Sequence, residues 1–200
     1  MKIKIVDGFK IRNTIDPDFG DLGEHFVFPW IPKGEIWVDK NYKSEFKFNF
    51  KVQTQRNKLL KQGLSFEEAK EAVRRLFRKD GVVVKKIKLL KMLKNNNGAK
   101  KIKVWLVDGE HVRKNLDPFF VMGGHGYVYS YIPKDEIWID DKVQLKERKY
   151  IIIHEMKERE FMKKDKDKDF YRKYANAHDF ATVFEKQARR KDGVAKYLSD

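Results

Sequence analysis

The sequence predicts an α+β fold built by tandem duplication of one module, a small antiparallel sheet followed by two helices. Three observations predict it. Sliding the chain by 101 residues aligns 2–40 with 103–141 without a gap, with 17 identities in 39 positions, the mark of an internal repeat. Each copy opens with short apolar or alternating runs separated by turn residues, which read as strands. Each copy then passes into charged stretches whose apolar residues recur at helical spacing.

Taken in order, copy one begins with a strand at 3–6 and an Asp7-Gly8 turn signal. A short strand, an Asp16-Pro17 turn and an aromatic-rich strand at 26–30 follow. Ile31-Pro32-Lys33 then introduces a last strand at 35–38. Copy two repeats this with strands at 104–107, 127–131 and 136–139, around Asp108-Gly109 and Asp117-Pro118. The shared residues read as scaffold: Trp37 and Trp138 as core, Gly8 and Gly109 as turn formers. Residues 50–62 and 65–79 read as the two helices of copy one, the second opened by the capping box Ser65-Phe66-Glu67-Glu68. Residues 149–164 and 170–190 are their counterparts, with Asp169 near the second N-cap. Lys79-Asp80-Gly81 and Lys191-Asp192-Gly193 are matching helix stops. Residues 82–95 wind as a Lys-rich helix with Leu89, Leu90 and Leu93 on one side and Lys85, Lys88, Lys91 and Lys94 on the other. Lys86 and Ile87 break that pattern. Asn95-Asn96-Asn97-Gly98 is the expected linker, which divides the chain into repeats 1–98 and 99–200.

Composition narrows the function classes. There is no cysteine, which excludes disulfides and thiolate metal sites. No apolar run approaches the ~20 residues that span a bilayer, and residues 1–8 lack the apolar core of a signal peptide. The expectation is a cytoplasmic protein, or a virion-associated one if phage-encoded. Charged residues make up 38% of the chain, and heavy Lys and Glu usage also suits a heat-adapted protein. The net charge is +15, of which +11 falls in residues 51–100.

The groups suited to chemistry lie in residues 150–188. His154 and Glu158 are four apart, so one helix presents both on one face. Glu155 sits beside them, and His178 and Glu185 share a face of the next helix. Copy one has lost these groups together. Val52, Gln53 and Arg56 stand opposite His154, Glu155 and Glu158, and Lys70 stands opposite His178. A helical His-Glu-x-x-His places two zinc ligands one turn apart with the Glu as general base. Here the pattern is His-Glu-x-x-Glu. It implies a divalent metal, zinc by ligand type, on His154, Glu158 and His178, with Glu155 as the base. Glu185 is either a further ligand or an outer partner orienting His178. His125, in Gly123-Gly124-His125-Gly126, occupies the place of Glu24; a glycine-rich turn could bring it near the site, but the expectation is a surface loop.

His154-Glu155-Met156-Lys157-Glu158, the following Phe161-Met162, and Tyr174-Ala175-Asn176-Ala177-His178 with Glu185 resemble the zincin-like metallopeptidase group, especially small phage and prophage members. The resemblance covers about a fifth of the chain. It implies a zinc-dependent peptidase acting on a peptide or protein substrate. The group's usual second His is replaced by Glu158, which carries metal binding over better than proteolysis. The contrasting reading rests on the basic segment. Lys70, Arg74, Arg75, Arg78, Lys85, Lys86, Lys88 and Lys91 on consecutive helices would neutralise phosphates of a nucleic acid without reading its sequence. The protein would then be a non-enzymatic nucleic-acid-binding or particle-associated one, and any metal structural.

Overall fold

A computed structural model describes residues 2–94 and 101–195. The expected linker at 95–98 lies outside the described residues. In chain order the first repeat contains strand β1 (Lys2–Val6), helix α1 (Gly8–Thr14), strands β2 (Leu22–Glu24) and β3 (Glu35–Asp39), a 3₁₀ turn (Lys40–Glu45), and helices α2 (Phe46–Lys61) and α3 (Phe66–Phe77). After strand β4 (Lys86–Lys94), the second repeat contains β5 (Lys101–Val107), α4 (Gly109–Asn115), β6 (Gly123–His125), β7 (Glu136–Asp140), α5 (Arg148–Lys164) and α6 (Phe170–Lys191). The architecture is α+β with a duplicated module, two small sheets each followed by helices.

Each sheet is mixed, where an antiparallel one was expected. β1 pairs parallel with β3 and β5 parallel with β7, while β2 and β6 add antiparallel. The parallel pairing needs a crossover, and α1 and α4 supply it. Asp7 and Asp108 are therefore N-caps and not turn residues: their carboxylates accept the N–H of Lys10 at 3.2 Å and of His111 at 2.9 Å. Gly109 opens α4 with an ordinary negative φ. What requires glycine there is space, because a Cβ would stand 2.2 Å from Asp140 Oδ1. The aromatic segments 26–30 and 127–131 are turns; Phe28 packs on Phe19 and Tyr129 on Phe120, with centroids 5.6 and 5.7 Å apart, while Phe26 is exposed.

Residues 86–94 form a strand, not a helix, and β4 is the edge of the second repeat's sheet, in the order β4-β5-β7-β6. Two register shifts, between Lys86 and Lys88 and between Leu89 and Lys91, interrupt the alternation. Leu90 and Leu93 consequently both face the core although three residues apart. A strand with bulges thus mimics the spacing of a helix face.

The two repeats grip each other through reciprocal buried ion pairs. Arg12 binds Asp39 of its own repeat and both oxygens of Glu147 of the other; Arg113 binds Asp140 of its own repeat and both oxygens of Glu45. All six side chains are essentially inaccessible. Arg12 and Arg113 match at the offset of 101, whereas Glu45 and Glu147 match at 102. One residue has been inserted between the sheets and the helices, and α2 aligns on α5 at 102. Val52, Gln53 and Arg56 therefore stand opposite His154, Glu155 and Glu158. Tyr42 of the first repeat reaches into the second repeat's core of Val104, Ile137, Ile139 and Ile151, and its hydroxyl meets Asp140 at 3.1 Å.

Candidate metal centre

Helices α5 and α6 pack as a hairpin and bring His154, Glu158 and His178 together. His154 Nε2 lies 3.1 Å from His178 Nδ1; Glu158 Oε1 lies 3.2 Å from His178 Nδ1 and 3.7 Å from His154 Nε2. Zinc bonds of 2.0–2.1 Å in a tetrahedron separate ligand atoms by about 3.3–3.4 Å. The triangle therefore has the dimensions that a tetrahedral ion requires of three of its ligands.

The outer contacts leave the right lone pairs free. His154 Nδ1 faces Glu185 Oε2 at 2.9 Å, and Glu185 is itself held by Arg189 through two bonds at 2.7 and 2.9 Å. With its proton on Nδ1, His154 offers Nε2 to a metal. His178 Nε2 lies 3.4 Å from Asp18 Oδ1 of the first repeat, which orients His178 in the same way with Nδ1 free. Glu185 is thus on the far side of His154 from the triangle and partners His154, not His178. Seven residues separate it from His178, about 10 Å along a helix. Because the hairpin is antiparallel, that displacement brings it level with His154. Asp18 was not legible in the sequence, being an acid in the Asp16-Pro17-Asp18 turn, 160 residues from His178.

His125 is fully buried on β6, not on a surface loop. Its Nε2 touches Glu158 Oε2 at 3.1 Å, off the alignment of a full hydrogen bond. The backbone N–H of Tyr127 donates to His125 Nδ1 at 3.2 Å, so in the neutral ring the proton sits on Nε2 and faces Glu158. His125, Glu155 and Glu158 also have ligand atoms close enough to share an ion. The Tyr127 bond favours His125 as the donor that aims Glu158. In the first repeat the corresponding pair is Glu24 with Arg56, the same contact with the carboxylate on the other side. That substitution, visible by aligning Glu24 with His125 and Arg56 with Glu158, was the available signal for His125.

Glu155 is 7% exposed and its Oε2 has no hydrogen-bond partner. Burial, then the charge of Glu158, raises its pKa to about 8. Burial opposes the charged forms of the other groups, but pairing outweighs it. The contacts of Glu158 with three histidines pull it well below the usual range, and His154 with Arg189 lowers Glu185 to about 2. For His178 burial is outweighed by Asp18 and Glu158, which raise it from 6.5 to about 9. A raised pKa stabilises the fold fully below the unfolded value and loses that contribution as pH rises through the folded one. Stability of the metal-free protein is accordingly expected to fall between about pH 6.5 and about 9, as urea unfolding across that range would show. His178→Gln should flatten the fall.

The triangle lies in a cleft of about 290 Å³ between the repeats. Asp18, Phe28, Gln53 and Arg56 of the first repeat face Tyr129, His154, Glu155, Tyr174 and His178 of the second. The first repeat, without ligands of its own, is one wall of the site. With zinc as the probe ion, neutralising its acid, or the one on His154, should weaken metal binding with the fold kept. Asp18→Asn and Glu185→Gln are each expected to lower affinity about 10–100-fold in a competitive chelator titration.

The eight basic residues of the other reading are spread over α3, the segment after it and β4. Lys70 is half-buried over Phe66 and Phe119 and pairs with Glu67 at 3.7 Å. Arg74 binds Asp117 at 3.0 Å, Arg75 binds Glu71 at 3.3 Å and Lys86 binds Glu136 at 2.7 Å. Arg78, Lys85, Lys88 and Lys91 are exposed.

No protein-family model, curated protein or solved structure matches the chain. Among the described residues, no helix is long and apolar enough to cross a membrane.

Proposed function

We propose that the chain is a zinc-dependent hydrolase acting on peptide bonds, with His154, Glu158 and His178 as ligands and Glu155 as general base. The observation that supports this reading most is the triangle of ligand atoms, with edges of 3.1, 3.2 and 3.7 Å, opening on a cleft beside a buried carboxylate oxygen that nothing else uses. Zinc held there would supply Lewis acidity and lower the pKa of water. The rest falls to the chain. Glu155 Oε2, the carboxylate oxygen left without a partner, takes and returns the proton. Glu185 and Asp18 keep His154 and His178 in the ligating tautomers. The apolar walls around Phe28, Phe119 and Tyr129 exclude water from the reacting bond.

The test is cleavage of a mixed peptide library by zinc-loaded full-length protein, read by mass spectrometry. Wild type should cleave, and Glu155→Gln should keep its zinc while losing activity by about 10²–10⁴-fold. Absence of cleavage by zinc-loaded wild type would sink the reading, and full activity in Glu155→Gln would sink the assignment of the base. The nucleic-acid reading is supported less, because Lys70, Arg74, Arg75 and Lys86 are already paired with carboxylates.

A further inference from the structure

Five arginines are buried among the described residues: Arg12, Arg56, Arg113, Arg159 and Arg189. A guanidinium taken out of water is costly unless its charge is paired and its N–H groups are bonded. Three meet that requirement fully, each gripping two carboxylates. Arg12 holds Glu147 and Asp39, Arg113 holds Glu45 and Asp140, and Arg189 holds Glu185 and Glu147. Arg159 bonds a backbone carbonyl outside the cleft. Arg56 lines the cleft and is the exception within it.

Arg56 is 6% exposed, yet its carboxylate contact, Glu24 Oε1, is 3.5 Å away. That oxygen already receives shorter bonds from Gln53 at 2.6 Å and Asn57 at 2.8 Å. The other polar contact of Arg56, to Asn57 Oδ1, is 3.4 Å long, and its Nε has no partner. Burial lowers its pKa, and Glu24 and Asp21 offset this only in part. The charge is therefore held in place but incompletely compensated, in the same cleft as the ligand triangle. Leu22, Phe119 and Val121 line the cleft with it. A guanidinium whose Nη2 contacts are 3.4 and 3.5 Å long, beside apolar side chains, matches a carboxylate attached to an apolar group.

We infer that Arg56 is the receptor for the C-terminal carboxylate of a peptide ending in an apolar residue, so that the site trims peptides from that end. This deepens the hydrolase reading and rests on it for the cleavage step, in which water adds to the last peptide bond. The C–N bond breaks, the amine leaves with the proton carried by Glu155, and one amino acid is released. The repeat that lost the ligands thereby supplies specificity, with Arg56 in the place of Glu158.

The experiment measures calorimetric binding of acetyl-Gly-Phe, its C-terminal amide, and acetyl-Asp-Phe-amide to zinc-loaded full-length protein. Wild type should bind the free acid about tenfold or more tightly than the amide, the order expected of one charge-assisted contact. Arg56→Gln should abolish the preference with zinc content unchanged, and Arg56→Lys, which keeps the charge, should retain part of it. Equal binding of acid and amide by wild type would overturn the inference. So would a preference that survives in Arg56→Gln, since the metal would then be taking the carboxylate. Binding of acetyl-Asp-Phe-amide as tight as the free acid would overturn the terminal assignment in favour of an acidic side chain. A preference lost in Arg56→Gln, together with no release of Phe by wild type, would leave the receptor standing and remove the hydrolase reading.

Discussion

The proposed zinc, loaded onto the full chain at close to one equivalent, is expected to disappear on dialysis of His154→Ala and, separately, of His178→Ala. Each variant removes one corner of a triangle whose edges are 3.1, 3.2 and 3.7 Å. Two remaining ligands make a weak site, and the loss should exceed the ~100-fold upper end for an outer partner. Collapse of the fold is not the expected cause. Without His154, Glu185 keeps both bonds to Arg189, so no buried carboxylate is stranded. His178 is 32% exposed, and Asp18, its outer partner, is 47% exposed and can turn to water. Elemental mass spectrometry reads the metal, and circular dichroism confirms the fold. Zinc retained at full stoichiometry by either variant would break the three-ligand assignment.

Glu147→Ala is expected to cost about 3–5 kcal/mol, the order found when one partner of a buried ion pair is removed. Glu147 is fully buried and accepts from two guanidiniums, Arg12 and Arg189. Arg12 would keep Asp39 and two backbone carbonyls, but its Nε would be left dry. Against a total stability of about 5–15 kcal/mol, this is a large fraction. The effect should reach the candidate metal centre, because Arg189 also holds Glu185, which orients His154. Urea unfolding should therefore show the lost stability, and a chelator titration a weaker site in the variant that still folds. A loss below about 1 kcal/mol would mean that water or a neighbouring acid replaces Glu147 at no cost.

Some of this was readable in the chain itself. The duplication was, because 17 identities in 39 ungapped positions need no structure to interpret. So was the sharing of one helix face by His154 and Glu158, because the 3.6-residue period is a local property of the backbone. The capping box at Ser65 and the cap at Asp169 follow from local side-chain bonds of the same kind. The misreadings have physical causes. Asp7-Gly8 and Asp108-Gly109 serve equally as a turn or as a cap with the first helical residue, and the parallel pairing beyond them selects the cap. The bulges of β4 copied a helical spacing.

What only the tertiary structure decided is which distant groups meet. Asp18 on His178, His125 on Glu158, Glu185 on His154 and Arg56 in the shared cleft join residues 31 or more positions apart. Local periodicity assigns a side chain to a face. It does not say what that face packs against, because many surfaces of similar polarity could cover it. Here the covering was chosen by the reciprocal grip of Arg12 on Glu147 and Arg113 on Glu45, which sets the first repeat across the mouth of the second.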